Sequence, residues 1–349
     1  MQTIYDLVTP KLVSERWYAS IQDRQPYLGA GLYRQRKQLG IDLQYLKGKK
    51  PAVKPLQLSA FDAKVIPISR EGLEKIYTEM PFFKNSKYVD EKQRQELNKV
   101  IAGGNKYYID SIMNNIYDDQ IQLLDNAAVT KEIMRMSLLT TGTISFANNG
   151  QGVTYDFGIP EANKVTPTAK WNNATSADPI KDIVSWQDQI ENSTGIRPNM
   201  LLMNGTTFNL MQNAEKVQKA IYAFANNVVT PTRADVLAYV EKATQCRVLV
   251  YNKGYNKDGE TTLTKFVGDG VVVLFPEGTV GEFVYGTTPE ESDLMSGATS
   301  AVVEVVDDGI AITGTKLTDP VNVETKVSMI ALPTLDLPES IIIADVDGE

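Results

Sequence analysis

Three pairs of adjacent carboxylates head the groups able to do chemistry: Asp118–Asp119, Glu290–Glu291 and Asp307–Asp308. Two carboxylates facing each other across a sugar cleft are the machinery of a glycosidase, one giving a proton and the other attacking or activating water. Acids adjacent on one chain usually share a solvated face instead, and these pairs are read that way. Cys246 is the single cysteine, and the sequence contains no histidine. That composition removes Ser-His-Asp and Cys-His nucleophiles, His-ligated zinc and imidazole proton shuttles. With no imidazole to activate it, Cys246 reads as a buried, inert thiol. No phosphate-binding P-loop is present, and no GxGxxG follows a strand. Gly254 and Lys265 stand where a calcium loop needs its first Asp and last Glu. Trp17, Trp171 and Trp186 are too dispersed for a base-stacking platform. No catalytic, cofactor-binding or metal-ligating residue is assigned.

The chain that must position these groups has 349 residues, 42% hydrophobic and 22% charged, an ordinary globular composition. At about 150 residues per domain, two domains are expected. The first 17 residues lack the basic and apolar regions of a signal peptide. No run of about 18 apolar residues predicts a membrane-spanning helix. Net charge is −8, unevenly placed: residues 1–55 carry +6 and residues 287–349 carry −11. An acidic chain is no dedicated nucleic-acid binder. The asymmetry suggests complementary surfaces within or between copies.

Residues 1–55 read as an extended basic arm with local helix near Ile4–Val13. Alternation from Leu56 to Ile68 predicts a two-stranded excursion that needs a surface to rest on. Helical spacing of Leu97, Ile101, Tyr108, Ile112, Ile116 and Leu123 predicts a long helix over roughly 91–125, weakened at Gly103–Gly104. A second helix is expected over about Thr130–Leu139. Asn148–Asn149–Gly150 predicts a hairpin between Ile144–Phe146 and Val153–Phe157. Asp178–Pro179 opens a helix ending at Thr194–Gly195, followed by a buried strand at Met200–Met203. Helices are expected at Thr206–Leu210, at Val217–Phe224 and after Pro231–Thr232, the last with Ala234, Val236, Leu237 and Val240 inward. Strands follow at Cys246–Tyr251, Lys265–Val267, Val271–Phe275, Thr279–Tyr285, Ala301–Val306, Ile310–Gly314, Val321–Leu332 and Ile341–Ile343. Asp258–Gly259 and Gly268–Asp269–Gly270 read as turns, the latter as a hairpin. The mixture reads as α+β.

The segment from Asp178 to Val217 resembles the signature of the tailed-bacteriophage major capsid proteins typified by the lambda head protein, the phage major capsid protein E family. Its residues are Asp178, Pro179, Asp182, Ile183, Trp186, Gln187, Gly195, Pro198, Met200–Met203, Thr207, Leu210, Asn213 and Val217. The run Ser328–Pro333 with Leu335–Pro338 is similar to the family's closing strand and acidic tail.

The resemblance implies the Hong Kong 97 fold: an N-terminal arm at 1–45, an extended E-loop at 46–76, a peripheral domain at 77–165 and 316–349 with a long spine helix, and an axial domain at 166–315. It implies a non-enzymatic head protein that assembles as pentamers and hexamers into an icosahedral shell around double-stranded DNA. Expected partners are further copies, a scaffolding protein, a portal, a decoration protein and non-specifically contacted DNA, with no membrane. The expected location is the virion, reached from the host cytoplasm. Lys47, Lys49, Lys50 and Lys54 are candidates to meet Glu290, Glu291 and Asp293 on a neighbour. The alternatives are an encapsulin-like nanocompartment shell and, more remotely, a carboxylate-based hydrolase.

Overall fold

The computed structural model describes residues 8–22, 24–47, 74–89, 91–103, 106–148, 151–222, 230–257, 260–297, 301–317 and 322–348. Its helices are α1 (Pro10–Ile21), α2 (Leu28–Leu32), α3 (Glu91–Ala102), α4 (Lys106–Thr141), α5 (Pro179–Thr194), α6 (Gly205–Asn213), α7 (Glu215–Ile221), α8 (Arg233–Thr244) and α9 (Pro289–Ser296). Its strands begin with β1 (Tyr33–Lys37), β2 (Asp42–Lys47), β3 (Glu74–Glu79), β4 (Phe82–Val89), β5 (Thr143–Asn148), β6 (Gln151–Asp156), β7 (Lys164–Val165), β8 (Met200–Met203) and β9 (Arg247–Val250). They continue with β10 (Gly254–Asn256), β11 (Leu263–Lys265), β12 (Val271–Phe275), β13 (Gly281–Tyr285), β14 (Val302–Val306), β15 (Ile310–Lys316), β16 (Val323–Pro333) and β17 (Ile342–Asp345). The described residues fall into two compact units: those within 1–43, 77–134 and 282–333, and those within 44–76, 135–281 and 334–349.

The first unit is a sheet ordered β1-β13-β16-β15-β14, with β4 also paired along β16. Lys87 of β4 bonds Asp119 of α4, whereas Lys326 of β16 bonds Glu290 of α9. In this antiparallel register Lys87 lies opposite Thr325 and Ser86 opposite Lys326. Odd-numbered positions of β4 and β16 therefore face α4, and even-numbered positions face the α9 side. Against the expectation of an extended arm, residues 10–37 are folded into this unit. Thr9 caps α1 through a bond from the Leu12 N–H, and Pro10 sets its first turn. Val13 and Trp17, four residues apart, are buried. The Trp17 indole donates to Asp125 of α4 at 3.0 Å, and Arg24 pairs with the same carboxylate at 2.8 Å. Arg16 stacks on the Tyr117 ring. Among the described basic residues, Arg16 and Arg24 meet a ring and an acid of the long helix, Arg34 and Arg36 pair with Glu282 of β13, and Lys37 pairs with Glu291 of α9.

The long helix breaks at Gly103, where the glycines weaken it, into α3 and α4. It departs from expectation in its reach: α4 continues to Thr141, absorbing the expected second helix. Glu132 and Arg135 are buried along it, which a reading based on apolar spacing cannot see.

The second unit is a five-stranded sheet, β7-β17-β12-β8-β9, packed with α5 to α8. All four residues of β8 are buried. Asp178 caps α5 and Gly195 ends it with φ 74°, a left-handed turn that favours glycine. Thr232 and Asp235 form a capping box on α8. Ala234 is exposed, not inward, because it sits in the first turn while Val236 and Val240 take the core positions. The strand expected at Lys265–Val267 ends at Lys265. Gly268–Gly270 is not a hairpin: β11 pairs with β10, and β12 with β8 and β17. The β5–β6 hairpin is present as expected. β16 lies in the first unit and β17 in the second. The alternation at Leu56–Ile68 and the Asp258–Gly259 turn lie outside the described residues, as do Phe224 and Val321 at the ends of two expected elements.

Candidate functional site

Each carboxylate pair is engaged by lysine within its own unit. Asp119 bonds Lys87 at 2.9 Å, tying α4 to β4, while Asp118 is exposed. Glu290 bonds Lys326 at 2.6 Å and accepts from the Ser328 hydroxyl at 2.8 Å. Burial alone would raise the Glu290 carboxyl, but Lys326, the residue's own backbone N–H and the Ser328 hydroxyl together hold it below its ordinary value. Glu291 is buried and bonds Lys37 of β1 at 2.6 Å. Asp307 bonds the buried Lys131 of α4, and its backbone N–H donates to the Tyr18 hydroxyl at 3.0 Å. Asp307 and Asp308 have φ of 47° and 62°, the left-handed pair that a tight turn between β14 and β15 requires. The acids join helices and turns to strands; they do not converge on a cleft.

Cys246 is buried, and burial pushes its thiol up from the ordinary value, away from the reactive thiolate. Gln187 donates to its sulfur at 3.2 Å and to the carbonyls of Pro198 and Thr244 at 2.8 and 3.0 Å. A cavity of about 400 Å³ lies beside α5, lined by Asp178, Lys181, Lys216 and Tyr239 with three aliphatic side chains. Its Asp178 is already paired with Lys216 at 2.8 Å. Among the described residues no cluster of three metal-ligating side chains occurs, and no helix is long and apolar enough to cross a membrane.

Of the candidate contact residues, Glu290, Glu291 and Asp293 lie on α9. Lys47 lies in β2, and Lys49, Lys50 and Lys54 lie outside the described residues. Glu290 and Glu291 point into their own chain, whereas Asp293 is exposed on α9. The signature segment, by contrast, is a packing unit. Trp171 and Trp186 stack with centroids 6.2 Å apart, and Trp171 donates to Asp182 at 3.0 Å. Asn204 caps α6 through the Thr207 N–H and also donates to the carbonyls of Val267 and Gly268. Sequence reasoning missed Asn204, Asp125 and Lys131. Their signal is a polar residue inside an apolar pattern, which does not name its partner.

The phage major capsid protein E profile matches residues 17–346. The chain belongs to the phage major capsid protein E family. It is a structural protein that assembles with itself into the phage head shell, a component of the virion and not an enzyme. Its mixed α+β fold matches Hong Kong 97-type capsid structures. One similar structure is a prophage protein of Escherichia coli CFT073 designated a capsid protein, at 14% identity and TM-score 0.57, covering 95% of this chain and 98% of that one. Another is a phage-related protein from Bordetella bronchiseptica RB50, at 14% identity and TM-score 0.56, covering 98% of each chain. No curated protein matches. For a capsid subunit, lysine clasps inside the unit and exposed residues outside it are a coherent division of labour.

Proposed function

We propose that copies of this capsid subunit close as pentamers and hexamers into an icosahedral shell around the double-stranded DNA genome of a tailed phage, assisted by a scaffolding protein, a portal and a decoration protein. The family match over residues 17–346 carries this reading. Residues 46–76 are read as the E-loop; β2 and β3, which pair on either side of residues 48–73, support it. The 36-residue α4 is the spine helix of a peripheral domain. The peripheral domain is read at 77–165 and 316–349 and the axial domain at 166–315. Residues 1–45 are the arm, its described part folded onto its own unit. Lys47, Lys49, Lys50 and Lys54 steer a neighbour's acidic surface, with exposed Asp293 as the nearest fit among the three acids. The acidic balance lets packed DNA touch the shell without being trapped.

The test is expression of the whole chain, with and without scaffolding protein, followed by negative-stain microscopy and sedimentation velocity. Closed shells with five- and sixfold capsomers are expected; a small stable oligomer under all conditions would overturn the lattice reading. Shells that bind duplex DNA tightly at physiological salt would overturn the DNA argument.

A further inference from the structure

In the first unit the α4-facing side of the sheet is covered by helix, but part of the opposite side is bare. Gly286 is buried on that opposite side. A Cβ placed on it would meet the Gly40 carbonyl at 2.7 Å, and Ile330 Cγ2 and Met80 Cε at 2.8 Å. The loop around Gly40 is therefore pressed onto the sheet, held by the Thr287 N–H to Gly40 carbonyl bond at 3.0 Å and the Met80 N–H to Ile41 carbonyl bond at 2.9 Å. Its two apolar neighbours turn outward: Leu39 is 80% exposed and Ile41 is 41% exposed. Phe82 pairs opposite Ile330 and shares its face, at 42% exposed. Tyr88 follows on the same face of β4 at 54%. Between them Lys84 lies over the Phe82 ring, 5.6 Å from its centroid. Among the described residues β4 pairs with no strand other than β16.

We infer that Leu39, Ile41, Phe82 and Tyr88 form a contact covered by a second copy of this chain. Two magnitudes support it. The four side chains together expose on the order of 400 Å², with Phe82 and Tyr88 about 20 Å apart along β4. That area is about half of the ~800 Å² each partner buries in a standard interface. The chain's established self-assembly supplies the partner. The patch is held rigid by the Gly40 loop, so little ordering entropy opposes docking.

The inference rests on self-assembly, and the test separates the two. Cys246 is buried and the sole cysteine, so Leu39→Cys and Phe82→Cys each introduce one reactive thiol. Maleimide labelling is compared between dissociated subunits and intact shells of the full chain. At least tenfold slower labelling in shells is expected at both positions. Equal rates in both states would overturn the contact while leaving the shell intact, and failure of the unmodified chain to form any shell would remove its foundation. As a second arm, Ile41→Asp should lower the assembled fraction at least tenfold without changing the far-UV circular dichroism of the subunit; undiminished assembly counts against the contact.

Discussion

At the scale of single residues, the signature that pointed to the family is a set of caps and buried polar ties, and its energetics can be tested. Asp182 accepts the Trp171 indole while half-buried under the stacked tryptophans. Burial raises its carboxyl above the ordinary value, and the Trp171 bond only partly opposes this. The folded chain thus binds the Asp182 proton more tightly than the unfolded chain does. Stability falls as pH rises through the carboxylate range, and the loss is complete above the folded-state value. Asp182→Asn keeps an acceptor for Trp171 and removes the ionisation. Its urea midpoint should match or exceed that of the parent at neutral pH, with the two curves converging in acid; a lower neutral midpoint would refute this. Gln187 behaves differently, because three of its contacts are buried acceptors. Gln187→Leu strands the Pro198 and Thr244 carbonyls, which should cost about 1–3 kcal/mol. The readout is a lower denaturant midpoint with an unchanged slope, and an unchanged midpoint would mean that water replaces the amide.

At the scale of elements, α1 was the hardest to anticipate. Its anchor is Trp17, buried and bonded to Asp125 more than a hundred residues away. Trp17→Ala should remove about 3–5 kcal/mol of docking free energy. That is enough to release α1 while the rest of the unit stays folded. Trypsin should then cut after Arg16 and Arg24 at least tenfold faster than in the parent, and unchanged cleavage would show that α1 is held by other contacts. This explains which parts were legible. Elements fixed by local chemistry were read nearly to the residue: α5 between Asp178 and Gly195, β8 as a continuous apolar run, and the hairpin at Asn148. Elements fixed by distant partners were not. The α1 register, the placement of β17 beside β12 and the reach of α4 to Thr141 depend on side chains that meet only after folding. The candidate contact residues divide in the same way. A run of lysines is visible in sequence, but that Glu290 and Glu291 are already bonded to Lys326 and Lys37 is visible only in the folded chain.

At the scale of the whole molecule, the question is which force closes the shell. Each subunit carries −8, so copies repel at long range. That repulsion is screened once ionic strength brings the Debye length to about 10 Å, near 0.1 M. Burial of the Leu39–Phe82 patch is apolar and is not screened. If it dominates closure, the plateau of assembled protein, followed by light scattering, should rise with salt. The proposed steering by Lys49 and Lys50 acts on another observable. Attraction between unlike patches mainly speeds correct encounter, and screening removes it. Lys49→Glu with Lys50→Glu should therefore slow the initial rate several-fold at low salt, the gap closing as salt is added, while both proteins reach a plateau that rises with salt. A plateau that falls with salt in the parent would assign closure to ion pairs across the interface. A double variant that assembles at the parental rate at every salt concentration would show that these lysines steer nothing.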